Sequence, residues 1–124
     1  MTPAIWVAFM IAAAGGAIAR YTLDTLISHR VQGAFPWGTF VINVCGSLIL
    51  GVLTGLTLYH GLGSHPRVVL GTGFCGAFTT FSTFTFETIR LAEEGATIEA
   101  ALNLGGTLLA SAAAAALGLA LAVL

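Results

Sequence analysis

A chain of 124 residues is long enough for one domain, and this one is 57% hydrophobic and only 7% charged, against about 25% charged residues in an ordinary soluble domain. Four basic and five acidic side chains, with no lysine among them, are too few to cover a soluble protein of this size. The formal net charge of −1 provides no basic patch for nucleic acid, so a lipid bilayer rather than a nucleic acid is the expected partner.

Four uncharged runs follow one another. The first, Thr2 to Ala19, ends at Arg20. Ala12-Ala13-Ala14 has the look of a cleavage region, but Met1 to Met10 carries no basic n-region, so the segment reads as a retained helix rather than a signal peptide. The second run is Val31 to Tyr59, helical from Pro36 onward because proline suits a first helical turn. The third is Val68 to Phe86, between Arg67 and Glu87, and the fourth is Ala100 to Leu124, with Thr97 as its expected N-cap and Glu99 in its first turn. Each is near or above the ~18 residues of a spanning helix, and helix is required because lipid cannot satisfy an open backbone. The expected fold is therefore all-α: one four-helix transmembrane domain over residues 1–124, multi-pass in a cell membrane.

The connections hold His29, Arg30, Gln32 and Gly33, then His60 to Pro66, then Glu93 to Gly95. Arg20, Arg30 and Arg90 fall on one side and Arg67 on the other, a weak orientation bias that allows insertion both ways. Gly51 and Gly55 stand at GxxxG spacing, and Gly15-Gly16-Ala17, Gly105-Gly106 and Ala112 to Ala116 add further small residues for close helix contact. Cys45 and Cys75 lie in apolar stretches and read as small buried hydrophobes.

The third run is a poor helix by propensity. Gly71, Gly73 and Gly76 each cost about 1 kcal/mol relative to alanine, and Thr79, Thr80, Ser82, Thr83 and Thr85 can bond to the backbone and open it. A break is expected between Gly73 and Thr80, where freed carbonyls can ligate a cation. Gly71-x-Gly73-x-x-Gly76-Ala77 matches the dinucleotide fingerprint, but that pattern has meaning only between a strand and a helix. Phe81 and Phe84 share a helix face; they are either ordinary membrane aromatics or ring edges presented to an anion. Asn43 is alone in the second run. Asn103, Thr107 and Ser111 recur at i, i+4 and i+8 and form either interhelical hydrogen bonds or a conducting track. Glu87 is the one carboxylate near the intramembrane core, and Arg20 sits where it can draw anions to a vestibule. His29, His60 and His65 all lie in connections and assemble no catalytic set, so no enzyme is expected.

Three blocks carry a resemblance: Gly16-Ala17-x-x-Arg20-Tyr21, Pro36-x-Gly38-Thr39-x-x-x-Asn43-x-x-Gly46-Ser47, and Gly73-Phe74-Cys75-Gly76-Ala77-Phe78-Thr79-Thr80-Phe81-Ser82-Thr83-Phe84. From about Ala12 to its end the chain resembles the Fluc (CrcB-type) fluoride channels of bacteria and archaea. The resemblance implies an antiparallel, dual-topology homodimer in the bacterial inner membrane, with two pores that passively export cytoplasmic fluoride. It implies ring edges from Phe81 and Phe84, an amide from Asn43, and hydroxyls from Ser82, Thr83, Thr107 and Ser111 along the pore. It also implies a vestibule role for Arg20, a carboxylate near the pore at Glu87, and a structural sodium ion held by the Gly76 and Thr79 carbonyls of both chains. Ala77 stands where many relatives have a second glycine, and Asn103 where a hydroxyl-bearing aromatic is expected. The alternative of a proton-coupled four-helix multidrug transporter needs a carboxylate buried in the first helix, and Thr2 to Ala19 has none.

Overall fold

A computed structural model describes all residues from Met1 to Leu124. It is entirely helical, with four segments long and apolar enough to cross a membrane. Helix α1 is Pro3–Arg30 and α2 is Trp37–Tyr59. The third span, Ser64–Glu93, consists of α3 (residues 64–78) and α4 (Phe81–Glu93). The last span, Thr97–Leu121, is α5.

Helix α1 runs eleven residues beyond the apolar stretch that predicted it, from Arg20 to Arg30. No breaker occurs before Gly33, and Arg20 is half-buried with a backbone carbonyl as partner, so the charge does not end the helix. His29 and Arg30 fill its last turn, where positive charge suits the exposed carbonyls. Helix α5 begins at Thr97 rather than after it. Thr97 is not the N-cap: its hydroxyl donates to the Gly95 carbonyl instead of accepting from the helix. The turn before it closes α4 through Gly95 (φ +81°), with Ala96 N–H on Leu91 O at 2.8 Å, a left-handed cap that favours glycine.

Helix α1 packs against α3, and α2 against α5. Small residues set both contacts. A side chain on Gly16 would strike the Phe74 carbonyl and the Phe78 amide, and one on Gly118 would strike Leu48 O and Val52 N. Gly51 meets the Ala115 backbone, and Gly55 meets Leu119 and Ala122, so the GxxxG pair serves α2–α5 packing inside the protomer. At the membrane edge, His60 Nε2 bonds the Ala122 carbonyl at 2.7 Å and joins the ends of α2 and α5. Cys75 is buried, but Cys45 faces outward from α2, contrary to expectation; an apolar surrounding accommodates a thiol on either face.

The third span departs from regular helix twice. Arg67–Cys75 is π-helical, a form common at functional positions. The backbone then leaves the helical region at Thr79 (ψ 158°) and Thr80 (φ −148°, ψ 121°) before α4 starts at Phe81. The extended residues are the two threonines, at the edge of the window expected from the glycines. Gly71 and Gly73 stay helical because their missing side chains admit neighbours: Leu50 reaches 3.3 Å from the position a Gly71 Cβ would take, and Phe9 3.2 Å from that of Gly73.

Candidate functional site: a polar groove beside the helix interruption

Two extended residues inside an apolar bundle leave backbone groups in need of partners. Asn43 supplies them. Its Oδ1 accepts from Thr80 N–H at 2.8 Å, and its Nδ2 donates to Thr80 O at 3.0 Å, so the amide imitates a neighbouring strand. In an unbroken helix Thr80 N–H would reach Gly76 O; here that carbonyl has lost this donor. The Thr80 hydroxyl caps α4 by accepting from Thr83 N–H at 3.2 Å and donates to Thr83 Oγ1 at 3.0 Å. Thr79 remains tied back to α3, its N–H and its hydroxyl both on Cys75 O at 2.9 Å. Arg20 Nη1 approaches Thr79 O at 3.4 Å, placing a cation at the negative end of α3.

Beside this interruption lies an open groove of about 440 Å³. It brings together Asn43, Phe81, Phe84, Thr107 and Ser111, five of the seven residues expected to form a pore, along with Gly76 and Thr79. The Phe81 and Phe84 rings lie 5.6 Å apart with planes at 46°. Phe84 is buried at 2% exposure, whereas Phe81 is 71% exposed on the open side. The Ser111 hydroxyl is buried and has no partner.

The other expected site residues fall elsewhere. Ser82 is exposed outside the groove, at a marginal 3.4 Å from Thr80 Oγ1. Thr83 lines a separate hollow of about 240 Å³ with Arg20, Asp24, Thr39 and Thr80. Glu87 sits farther out, in a polar pocket of about 330 Å³ with Asp24, Gln32 and Arg90; its Oε2 is buried without a partner. Thr80 joins the groove to the Arg20 hollow, since it lines both. The nearest ion pair, Arg90 to Glu94 at 3.7 Å, is a solvent-side i,i+4 contact of little energetic weight.

Two roles escaped the sequence reading. Asn43 is a backbone clamp, a function signalled by its being the lone amide in the second span, opposite a helix expected to open. Thr88 and the buried Asn103 form a half-buried junction between α4 and α5, which no single-helix pattern displays.

Comparison with known proteins agrees with this arrangement. The family profile described as "CrcB-like protein, Camphor Resistance (CrcB)" matches residues 7–119. The chain is 46% identical to Fluoride-specific ion channel FluC 1 of Frankia casuarinae, over 94% of this chain and 95% of that one. It is 48% identical to Fluoride-specific ion channel FluC 1 of Streptomyces avermitilis over 79% of each chain. With Fluoride-specific ion channel FluC of Nitratidesulfovibrio vulgaris the identity is 49%, over 88% of this chain and 89% of that one. A multi-pass membrane protein whose helix interruption, amide clamp and paired phenylalanines lie within the matched residues 7–119, this chain belongs to the CrcB-like family.

Proposed function

We propose that this protein is a fluoride-selective channel that lets cytoplasmic fluoride leave the cell passively and so confers fluoride resistance. The observation that carries the reading is the convergence of Asn43, Phe81, Phe84 and Ser111 on one groove beside the helix interruption. Relatives named as fluoride-specific channels, similar over nearly the whole chain, support it.

Fluoride is small and holds its water strongly. A selective path replaces that shell with donors fixed in place. Asn43 has two amide protons; one is on Thr80 O, and the second is available to an anion. Ser111 contributes an unpartnered O–H. Phenyl rings carry a positive edge, so Phe81 and Phe84 add a weaker field without a fixed charge. Arg20 lines the neighbouring hollow rather than the groove, where it raises the local anion concentration. Flow is downhill: fluoride enters acid-stressed cells as neutral HF and dissociates at cytoplasmic pH.

A single protomer leaves the path half-built. Phe81 and Gly76 are exposed on the open side of the groove, and hydrocarbon cannot satisfy the groove's amide and hydroxyl groups. A second copy of the chain covers them in this reading, inserted in the opposite sense, so that the dimer has two pores. The weak arginine bias supports dual insertion. The Gly76 and Thr79 carbonyls are neutral oxygen donors at a helix C-terminus, suited in kind to a sodium ion. Two per chain is an incomplete shell for it, and the partner's pair completes it. Arg20 competes for the Thr79 oxygen, which restrains how tightly such an ion is held.

The test is efflux from liposomes reconstituted with the purified protein, fluoride beside chloride. Release of fluoride with chloride retained is the expected result. Release of both alike, or of neither, rejects the function.

A further inference from the structure

The polar stripe on α5 begins with Asn103, which does not line the groove. It is completely buried, at 0% exposure, on the π-helical turn Leu102–Gly106. Its Nδ2 donates to Thr88 Oγ1 at 2.8 Å and to Phe84 O at 3.4 Å. Its Oδ1 accepts from Thr107 Oγ1 at 3.0 Å. Thr88 Oγ1 in turn donates to Phe84 O at 2.8 Å.

These contacts fix the amide's orientation. Phe84 O is an acceptor only, and Thr88 has already given it its one proton, so both present lone pairs to Asn103. A flipped amide would turn Oδ1 against two acceptors. Oδ1 therefore faces Thr107, and the single proton of that hydroxyl goes to it. Thr107 lines the groove, but the one proton of its hydroxyl is engaged with Asn103 and is not offered to an anion there.

We infer that Asn103 is a positioning residue for conduction: by holding the Thr107 proton away from the groove it limits how tightly the groove grips fluoride. The inference rests on the proposed function. A channel must bind its ion firmly enough to admit it and weakly enough to release it. One additional O–H at the wall deepens the site and slows exit. The sequence pattern groups Thr107 and Ser111 as equivalent hydroxyls; in the structure only Ser111 is free to donate.

Asn103→Leu removes the acceptor while keeping similar bulk. Fluoride efflux from liposomes is measured against internal fluoride concentration. The expected result is a half-saturating concentration lowered about tenfold together with a lower maximal rate. Adding Thr107→Val removes the released proton and brings the half-saturating concentration to within about twofold of Thr107→Val alone, a coupling that independent sites do not show. A merely structural role lowers the number of working channels and the maximal rate but leaves half-saturation where it was; that result overturns the inference, as does a shift that Thr107→Val fails to reverse. If Asn103→Leu does not fold, Asn103→Ala removes the same acceptor without bulk and is read in the same way. Absence of fluoride release by the unaltered protein is separately visible; it rejects the channel function and this role with it.

Discussion

Replacing Asn43 by leucine strips both partners from Thr80. Thr80 is only 8% exposed, so its N–H and C=O, now bonded at 2.8 and 3.0 Å, would each lose a partner that solvent does not readily replace. An orphaned buried group costs about 1–3 kcal/mol, so the pair costs about 2–6 kcal/mol. The midpoint, about 4 kcal/mol, corresponds to a population factor of nearly ~10³. The chain has one way to avoid that cost: Thr79 and Thr80 wind into helix and return Thr80 N–H to Gly76 O. This motion rotates α4 and carries Phe81 and Phe84 out of the groove. Either outcome removes the site, so fluoride efflux is expected to fall by about a hundredfold or more. Thermal unfolding in detergent, followed through Trp6 and Trp37, separates the two: a lower melting temperature means stranded groups, an unchanged one means a closed helix. Asn43→Asp keeps the acceptor for Thr80 N–H but sets a second oxygen against Thr80 O, and its loss should match that of leucine. Fluoride efflux within about threefold of wild type for Asn43→Leu would refute the clamp.

Phe81→Ile and Phe84→Ile keep apolar bulk and remove the positive ring edge; each is expected to cut fluoride efflux about tenfold or more while the elution volume from a sizing column stays unchanged. Gly15 and Gly16 are adjacent and respond oppositely to alanine. A Gly16 Cβ strikes the Phe74 and Phe78 backbone, whereas a Gly15 Cβ meets nothing within 4 Å. Gly16→Ala should destabilise by about 1–3 kcal/mol, whereas Gly15→Ala should stabilise by up to about 1 kcal/mol through helix propensity, read as melting temperatures in detergent. A cysteine-reactive, membrane-impermeant label on a terminal tag should reach about half of the molecules from each face of the cell membrane; labelling from one face only contradicts dual insertion.

The four spans were legible because hydropathy and length are local properties that lipid enforces residue by residue. Their ends were not. Arg20 closes the uncharged run, which left open whether it lies inside the helix; it does, and a carbonyl at Thr79, fifty-nine positions away, receives it. The groove was legible in outline: Asn43, Phe81, Phe84, Thr107 and Ser111 do converge. Ser82 and Thr83 follow Phe81 directly, but the turn of α4 that brings Phe84 inward leaves Ser82 exposed and turns Thr83 toward Arg20 and Asp24. Helical periodicity places side chains on a face; it does not say which acceptor takes a proton. A break was expected from glycine and hydroxyl content, yet Gly71 and Gly73 serve helix contacts, and the extended backbone at Thr79 and Thr80 falls where Asn43 can replace the lost helical partner.

That distinction between a hydroxyl and an available proton bears directly on selectivity. The sequence from Thr79 to Ser111 appears rich in donors, but most of their protons are already placed. Thr79 gives its proton to Cys75 O, Thr80 to Thr83, Thr85 to backbone at Phe81 or Ser82, Thr88 to Phe84 O, and Thr107 to Asn103. Along the groove this leaves the second amide proton of Asn43 and the hydroxyls of Ser47, Thr72 and Ser111, with two ring edges between helices α2 and α5. Such a set falls short of a full hydration shell in one protomer, which supports the proposed second copy facing the groove. It also explains how an uncharged path can favour the smallest halide. A larger, weakly hydrated anion needs few donors and gains little from fixed ones, whereas fluoride gains from each short contact and is excluded if any is missing. Selectivity then depends on where a handful of protons point, and in this chain the half-buried junction of Asn103 and Thr88 decides one of them.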